Sequence, residues 1–276
     1  MTTHALLQAF KASKPAFGAW ITLPGILNAR AVAQASPYLS WVMIDCEHGL
    51  TSLQPGAAES IQAITGLGPN APSPLVRIPA TGFSNSTSWQ IKYALDAGAR
   101  GVLVPMVSNA EKAREIVADS RFPPAGRRGF GSPFTHGVWG IDATGYIKSA
   151  NEHVVVMIQI ETPEAVQNVE AIAAVDGIDC LFIGPYDLSL SLGYPPPSPD
   201  PHPDVETVIQ NVLKATHKEG KKCAIYCSSG KQALKRAEEG FDIINVTSDI
   251  GAMSESVAAN AIVALGGEPG APASRY

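Results

Sequence analysis

Short runs of β-branched and aliphatic residues alternate with helix-compatible segments eight times along this chain. No other feature narrows the fold so far. The runs are 17–23 (FGAWITL), 41–47 (WVMIDCE), 74–79 (PLVRIP), 101–107 (GVLVPMV), 154–160 (VVVMIQI), 178–184 (IDCLFIG), 222–228 (KCAIYCS) and 242–248 (DIINVTS). Most are continuously apolar, the pattern of parallel strands covered on both faces. Helix-like segments fall at 27–36, 52–65, 86–97, 110–119, 163–175, 205–219, 231–239 and 251–264. Eight such units in 276 residues predict an α/β fold of the (β/α)8 TIM-barrel class, which needs about 250 residues. A doubly wound open sheet is the alternative. It is weakened because no G-x-G-x-x-G follows the first strand. On this reading residues 1–265 form one barrel domain and 266–276 (GGEPGAPASRY) a flexible tail. Two stretches break the regularity: a long Gly- and aromatic-bearing insertion at 120–150 and a Pro-rich loop at 194–204. Long connections of this kind usually serve function or interfaces.

Composition excludes several classes. Charged residues make up 16% of the chain, below the usual ~25%, which suits a large core or subunit interface and argues against disorder. Twenty Lys and Arg against 25 Asp and Glu leave a net charge of −5, so no basic footprint for nucleic acid exists. No run of about 18 apolar residues predicts a membrane span. The first residues carry their basic side chains after the short apolar stretch, unlike a secretory signal. Cys46, Cys180, Cys223 and Cys227 read as free thiols in a reducing compartment, so a cytoplasmic location is expected. Cys223 and Cys227 lack a second matching pair, which argues against zinc.

Catalytic groups of a barrel lie at the C-terminal ends of its strands. Those ends carry Asp45-Cys46-Glu47-His48-Gly49, Arg77, Gln159-Ile160-Glu161-Thr162-Pro163, Gly184-Pro185-Tyr186-Asp187 and Thr247-Ser248-Asp249. Glu161 and Asp187 end adjacent strands, which lie roughly 4.8 Å apart. Two carboxylates so placed repel unless a cation or proton lies between them. An all-oxygen pair with open positions suits Mg²⁺ or Mn²⁺. The plainer alternative makes Glu161 a helix-start residue, since Thr162-Pro163 is a good N-cap and first-turn pair. Asp45, three residues before His48, could orient that imidazole as a base, or the two could be a cap and a packed ring. Arg77, inside an apolar run, must find an anion or reach solvent. An internal ion pair with one of these acids would satisfy it equally. No lysine ends a predicted strand, and Lys221 and Lys222 precede the seventh at the opposite face. A Schiff-base mechanism needs a lysine at the mouth, so a metal-stabilised enolate is the preferred chemistry.

Taken together, Asp45-Cys46-Glu47-His48-Gly49, Pro74-Leu75-Val76-Arg77, Leu103-Val104-Pro105-Met106-Val107, Gln159-Ile160-Glu161-Thr162 and Phe182-Ile183-Gly184-Pro185-Tyr186-Asp187-Leu188-Ser189 resemble the HpcH/HpaI aldolase family over about residues 15–265. That family comprises class II, metal-dependent pyruvate aldolases, including 2-dehydro-3-deoxyglucarate aldolase, and macrophomate synthase. The resemblance implies a barrel of the phosphoenolpyruvate/pyruvate type and cleavage or formation of 4-hydroxy-2-oxo acids through a metal-bound pyruvate enolate. It implies Glu161 and Asp187 as ligands of a divalent ion (Mg²⁺, Mn²⁺ or Co²⁺), with no organic cofactor. Arg77 would hold the keto or enolate oxygen. His48, paired with Asp45, would move the proton of the aldehyde-derived hydroxyl. Gln159, Gly184, Pro185, Tyr186 and Trp20 would line the substrate pocket, with backbone N–H groups near Tyr186 and Asp187 receiving the substrate carboxylate.

Phe130 and Asp96 match positions that reach a neighbouring subunit's site. The resemblance implies a homohexamer, a trimer of dimers with the helix at 251–264 exchanged between subunits. Its small-molecule partners would be a 2-oxo acid, pyruvate or oxaloacetate, and an aldehyde. Tyr186 stands where many members have Ala, and Phe130 where smaller aliphatics are common. Both departures touch the aldehyde half. Oxaloacetate decarboxylation, or a carbon–carbon bond-forming reaction of the macrophomate-synthase type, would use the same enolate. A coenzyme A thioester lyase needs a nucleotide groove, for which Arg127-Arg128 is the only extra basic loop. A catalytically silent barrel is opposed by the intact set of His48, Arg77, Glu161 and Asp187.

Overall fold

A computed structural model of the chain describes residues 4–79 and 86–268. Eight parallel strands close into a barrel in sequence order: β1 Ala16–Ile21, β2 Trp41–Asp45, β3 Ser73–Arg77, β4 Gly101–Val104, β5 Val155–Ile160, β6 Cys180–Ile183, β7 Lys222–Ile225 and β8 Ile243–Ser248. Each expected strand is present, in a (β/α)8 barrel. Several end earlier than their apolar runs, because the run continues into the loop at the mouth. The tail expected at 266–276 falls largely outside the described residues.

Thirteen α-helices surround the described barrel: α1 Ala5–Lys11, α2 Ile26–Gln34, α3 Ala58–Thr65, α4 Ser88–Asp96, α5 Ala110–Ser120, α6 Thr135–Val138, α7 Ala143–His153, α8 Pro163–Gln167, α9 Val169–Ala173, α10 Pro185–Ser191, α11 Pro203–Lys218, α12 Gly230–Glu238 and α13 Asp249–Ala264. Side-chain caps explain many of their starts. Asn109, Asp142, Thr162 and Ser229 each accept a first-turn N–H. The segment 163–175, read as one helix, is broken at Asn168. The 120–150 insertion is not merely a loop, for it contains α6 and most of α7.

Two apolar layers hold the barrel. Inside it pack Trp20, Trp41, Met43, Leu75, Met157 and Phe182. Between strands and helices a larger layer includes Val42, Ile61, Ile91, Ile158, Leu181 and Ile209. Gly18 is required where it stands, because a Cβ there would lie 2.1 Å from the Trp41 ring. The N-terminal end of the barrel is closed by α1. The buried His4 ring bonds the Ser73 hydroxyl at 2.9 Å, and that hydroxyl also accepts the Leu6 N–H. At the other terminus α13 behaves differently. Of its residues only Asp249 is buried, and Met253, Val257 and Val263 are exposed. All four cysteines are buried free thiols. Among the described residues, no helix is long and apolar enough to cross a membrane.

Candidate active site

The C-terminal ends of the strands open into a cavity of about 300 Å³. Parallel register brings its first feature together. Asp45 on β2 lies directly beside Arg77 on β3, and the guanidinium grips the carboxylate with two bonds, Nε to Oδ1 at 2.9 Å and Nη2 to Oδ2 at 2.6 Å. Arg77 Nη1 reaches Glu47 Oε2 at 3.0 Å, and the guanidinium carbon lies 5.0 Å from the Trp20 ring centre. Burial alone would raise the Asp45 carboxyl. The hydrogen bonds and charge of Arg77 outweigh that and hold it below the usual range. Glu47 is driven the other way, up to about 7, by burial and the nearby charges of Asp45 and Asp187, which exceed the opposing pull of Arg77.

The expected Asp45–His48 pair is not formed. Asp45 Oδ1 accepts the backbone N–H groups of Glu47 and His48 at 3.0 and 3.3 Å, so it shapes the loop that carries His48. Both its oxygens are already engaged by Arg77. The His48 side chain is 64% exposed, and its Nε2 lies 3.7 Å from Glu47 Oε2. The ion-pair reading of Arg77 holds, and the same residue lines the cavity.

Across the mouth, Glu161 follows β5 and is buried. Its Oε1 accepts the Met106 N–H at 2.8 Å. Met106 takes a φ of 57°, a left-handed conformation that costs a non-glycine residue about 1–3 kcal/mol and is typically found at functional sites. The Gln159 amide donates to the other oxygen, Oε2. Burial, with the Asp187 and Glu47 charges, pushes the Glu161 carboxyl up to about 7, against the Met106 hydrogen bond and Arg77. Asp187 lies in the first turn of α10 and lines the cavity, with Gly184 and Pro185 just before it. Gly184 must lack a side chain, since a Cβ would meet Gln159 Nε2 at 2.8 Å and Glu161 Oε2 at 3.0 Å.

These residues fit a divalent cation. Burial, and next to it the charges of neighbouring acids, raise the proton affinity of Glu47 and Glu161 at the mouth. The buried Gln159 Oε1 has no hydrogen-bond partner, and buried polar atoms seldom go unpaired. Among the described residues, no three acidic, His or Cys side chains form a closed metal cage. The donor set is therefore open and oxygen-rich, the kind that leaves positions for water and substrate oxygens.

The remaining expected residues divide. Trp20, Gln159, Gly184, Pro185 and Tyr186 all line the cavity. Phe130 and Asp96 do not. Phe130 is half-exposed and packs edge-on against Phe122 at 5.8 Å, while Asp96 binds Lys92 and Arg128, each at 2.9 Å. Sequence reasoning missed Glu47 and Tyr226 as site residues. The apolar run 222–228 placed Tyr226 within a strand, whereas β7 stops at Ile225 and leaves the ring at the mouth.

A closed (β/α)8 barrel with acids, an arginine and a histidine converging at its C-terminal mouth has the architecture of a barrel enzyme. The family description "HpcH/HpaI aldolase/citrate lyase" matches residues 25–255. The 4-hydroxy-2-oxo-heptane-1,7-dioate aldolase of Salmonella arizonae is 36% identical over 250 residues, covering 89% of each chain. An HpcH/HpaI aldolase/citrate lyase family protein from Burkholderia cenocepacia superposes with a TM-score of 0.83 at 32% identity, covering 95% of this chain and 99% of that one. Macrophomate synthase gives 0.80 at 26% identity, covering 95% and 88%. The chain belongs to the HpcH/HpaI aldolase/citrate lyase family. It is a carbon–carbon lyase of that family, which is divalent-metal dependent.

Proposed function

We propose that this chain cleaves and forms 4-hydroxy-2-oxo acids as a class II pyruvate aldolase, with Glu161 and Asp187 holding Mg²⁺, Mn²⁺ or Co²⁺ and no organic cofactor. The observation that carries the reading is the Gly184 cradle, where the Gln159 amide nitrogen and the buried Glu161 carboxylate leave no room for a Cβ, while the Gln159 oxygen stays without a partner. When bound, the divalent ion supplies a Lewis acid for the oxygens of a 2-oxo acid.

The chain's own residues supply the rest. Arg77, immobilised by Asp45 and Glu47, keeps further hydrogens on its terminal nitrogens for a keto oxygen on which charge develops. Groups preorganised in this way contribute about 3–4 kcal/mol each in other enzymes. The first turn of α10 offers the N–H groups of Tyr186 and Asp187 to the substrate carboxylate. In cleavage the C4 hydroxyl loses its proton towards His48, through a water. The C3–C4 bond breaks, its electron pair becomes the enolate, and the aldehyde leaves. C3 then takes a proton to give pyruvate.

His48 is exposed, and among the described residues its ring meets only Glu47, an arrangement that a neighbouring subunit would complete. Exposed apolar side chains along α13, together with Phe130 and Asp96 outside their own chain's cavity, support the homohexamer with an exchanged helix. The free thiols support a cytoplasmic enzyme. A second reading, oxaloacetate decarboxylation or a macrophomate-synthase-type bond formation, is favoured by the superposition on macrophomate synthase.

Pyruvate release from a panel of 4-hydroxy-2-oxo acids and oxaloacetate, with EDTA and with added Mg²⁺ or Mn²⁺, tests the reading. Metal-dependent release from hydroxy-oxo acids is expected. Release from oxaloacetate alone would transfer the assignment to the second reading.

A further inference from the structure

Two carboxylates share Arg77, and they use it differently. Asp45 takes Nε and Nη2 with its two oxygens, so one negative charge is met by one positive charge in a bidentate pair. Glu47 takes Nη1 with a single oxygen, Oε2, at 3.0 Å. The same Oε2 lies 3.7 Å from His48 Nε2. With both acids ionised, the group of Asp45, Glu47 and Arg77 holds two negative charges against one positive. The surplus falls on the carboxylate beside the imidazole. Asp187 and Glu161, across the mouth, add only further negative charge.

The two side chains also differ in exposure. Glu47 is 8% exposed and His48 64%. His48 lines the cavity and Glu47 does not. Both leave one short turn, which Asp45 Oδ1 ties down by accepting the N–H groups of Glu47 and His48. Glu47 is therefore a fixed carboxylate, and the imidazole is the movable group placed between it and the substrate.

Cleavage of a 4-hydroxy-2-oxo acid creates two charges together. The hydroxyl proton arrives on His48 and makes an imidazolium, and the C3–C4 electron pair makes an enolate. Arg77 is the partner for the enolate. Glu47 is the partner for the imidazolium. The two partners already stand 3.0 Å apart, so neither has to be assembled as the charges form.

We propose that Glu47 is a positioning residue for the proton transfer, one that holds the Nε2 side of the His48 ring and supplies the countercharge for the imidazolium. The inference rests on the pyruvate-aldolase reading and adds to it a carboxylate that works through His48 rather than on the substrate. It also assigns the working nitrogen. With Nε2 turned to Glu47, Nδ1 is left for the hydroxyl or its bridging water.

Pyruvate release with Mn²⁺, from whichever 4-hydroxy-2-oxo acid of the panel is cleaved fastest, tests this in the full chain, Glu47→Gln, His48→Ala and the double variant. Glutamine keeps an oxygen for Arg77 Nη1 and loses the charge. Glu47→Gln is expected to lower kcat by about tenfold, the worth of a contact to a charged group, with KM within about threefold. In the His48→Ala background the same change is expected to cost less than about twofold, because the ring it acts through is gone. Losses that multiply in the double variant, or an effect of Glu47→Gln confined to KM, would overturn the inference, since either means that Glu47 serves Arg77. Calorimetric titration with Mn²⁺ checks that the mouth is intact in each variant. Should Glu47→Gln fail that check, Glu47→Asp takes its place in the cycle, with a smaller loss expected that again disappears beside His48→Ala. Release with multiplying losses defeats this inference alone, whereas no metal-dependent release by the unaltered chain defeats the aldolase reading beneath it.

Discussion

The two ends of this barrel handle polar groups in opposite ways. At the N-terminal end of the strands, His4 is buried, bonded to Ser73 and covered by α1. Burial, and next the charge of Arg100, push its ring down to about 3, so it is neutral in ordinary conditions. At the C-terminal end, Glu47 and Glu161 crowd towards Asp187, and burial drives both carboxyls up to about 7. One end is closed, and its charged groups are paired, as in Lys222 with Asp242 and Arg121 with Asp179. The other concentrates acids, an unpaired amide oxygen and a left-handed Met106. The contrast separates the residues that hold the barrel together from those that cost stability for the sake of chemistry.

Substitutions at the two ends should therefore differ in kind. Glu161→Gln and Asp187→Asn are expected to have the largest effect, removing divalent-metal binding and lowering pyruvate turnover by about 10³-fold or more. Calorimetric titration with Mn²⁺ alongside turnover checks this, and full metal affinity in either variant would blur the contrast. His48→Ala should reduce aldol cleavage by about 10²-fold, and oxaloacetate decarboxylation less, since the latter deprotonates no hydroxyl. Equal losses measured on the two substrates would count against a hydroxyl-proton role. Gly184→Ala should displace the Gln159–Glu161 pair and lower kcat/KM by about 10–100-fold, with the loss visible in steady-state kinetics while thermal stability changes little.

The smallest effect on activity is expected at the closed end. His4→Gln should lower stability by about 1–2 kcal/mol near neutral pH, through imperfect pairing of Ser73, and leave pyruvate turnover within about twofold. It should also flatten the acid limb of stability. The folded His4 value lies below the ordinary histidine value of 6.5. Its contribution is therefore complete above about pH 6.5 and declines as pH falls towards 3, because the unfolded chain takes up the proton first. Denaturation of both proteins from pH 7 to 4 would show the slope, and an unchanged slope in the variant would remove His4 as its source.

Much of this contrast was legible in the sequence, because strand identity is carried by local apolar runs. The eight runs mark the eight strands, and the polar residues after them mark the mouth. What sequence could not supply was register. Asp45 precedes His48 by three residues, which suggests a local pair, yet parallel pairing sets Asp45 beside Arg77, 32 positions away. The motif alone shows no role for Glu47, since only the fold turns it towards Arg77 and Asp187. Helix α10 escaped notice because Pro185 reads as a loop signal, although proline is well suited to a first helical turn.

The central claim is that the open end of the barrel generates a pyruvate enolate with a divalent cation held by Glu161 and Asp187. Exchange of the pyruvate methyl protons in D₂O, followed by NMR for the wild type, Glu161→Gln and His4→Gln with and without EDTA, tests it most directly. The account predicts exchange that requires the metal, persists in His4→Gln and disappears in Glu161→Gln. Exchange that survives EDTA, or that proceeds undiminished in Glu161→Gln, would contradict it.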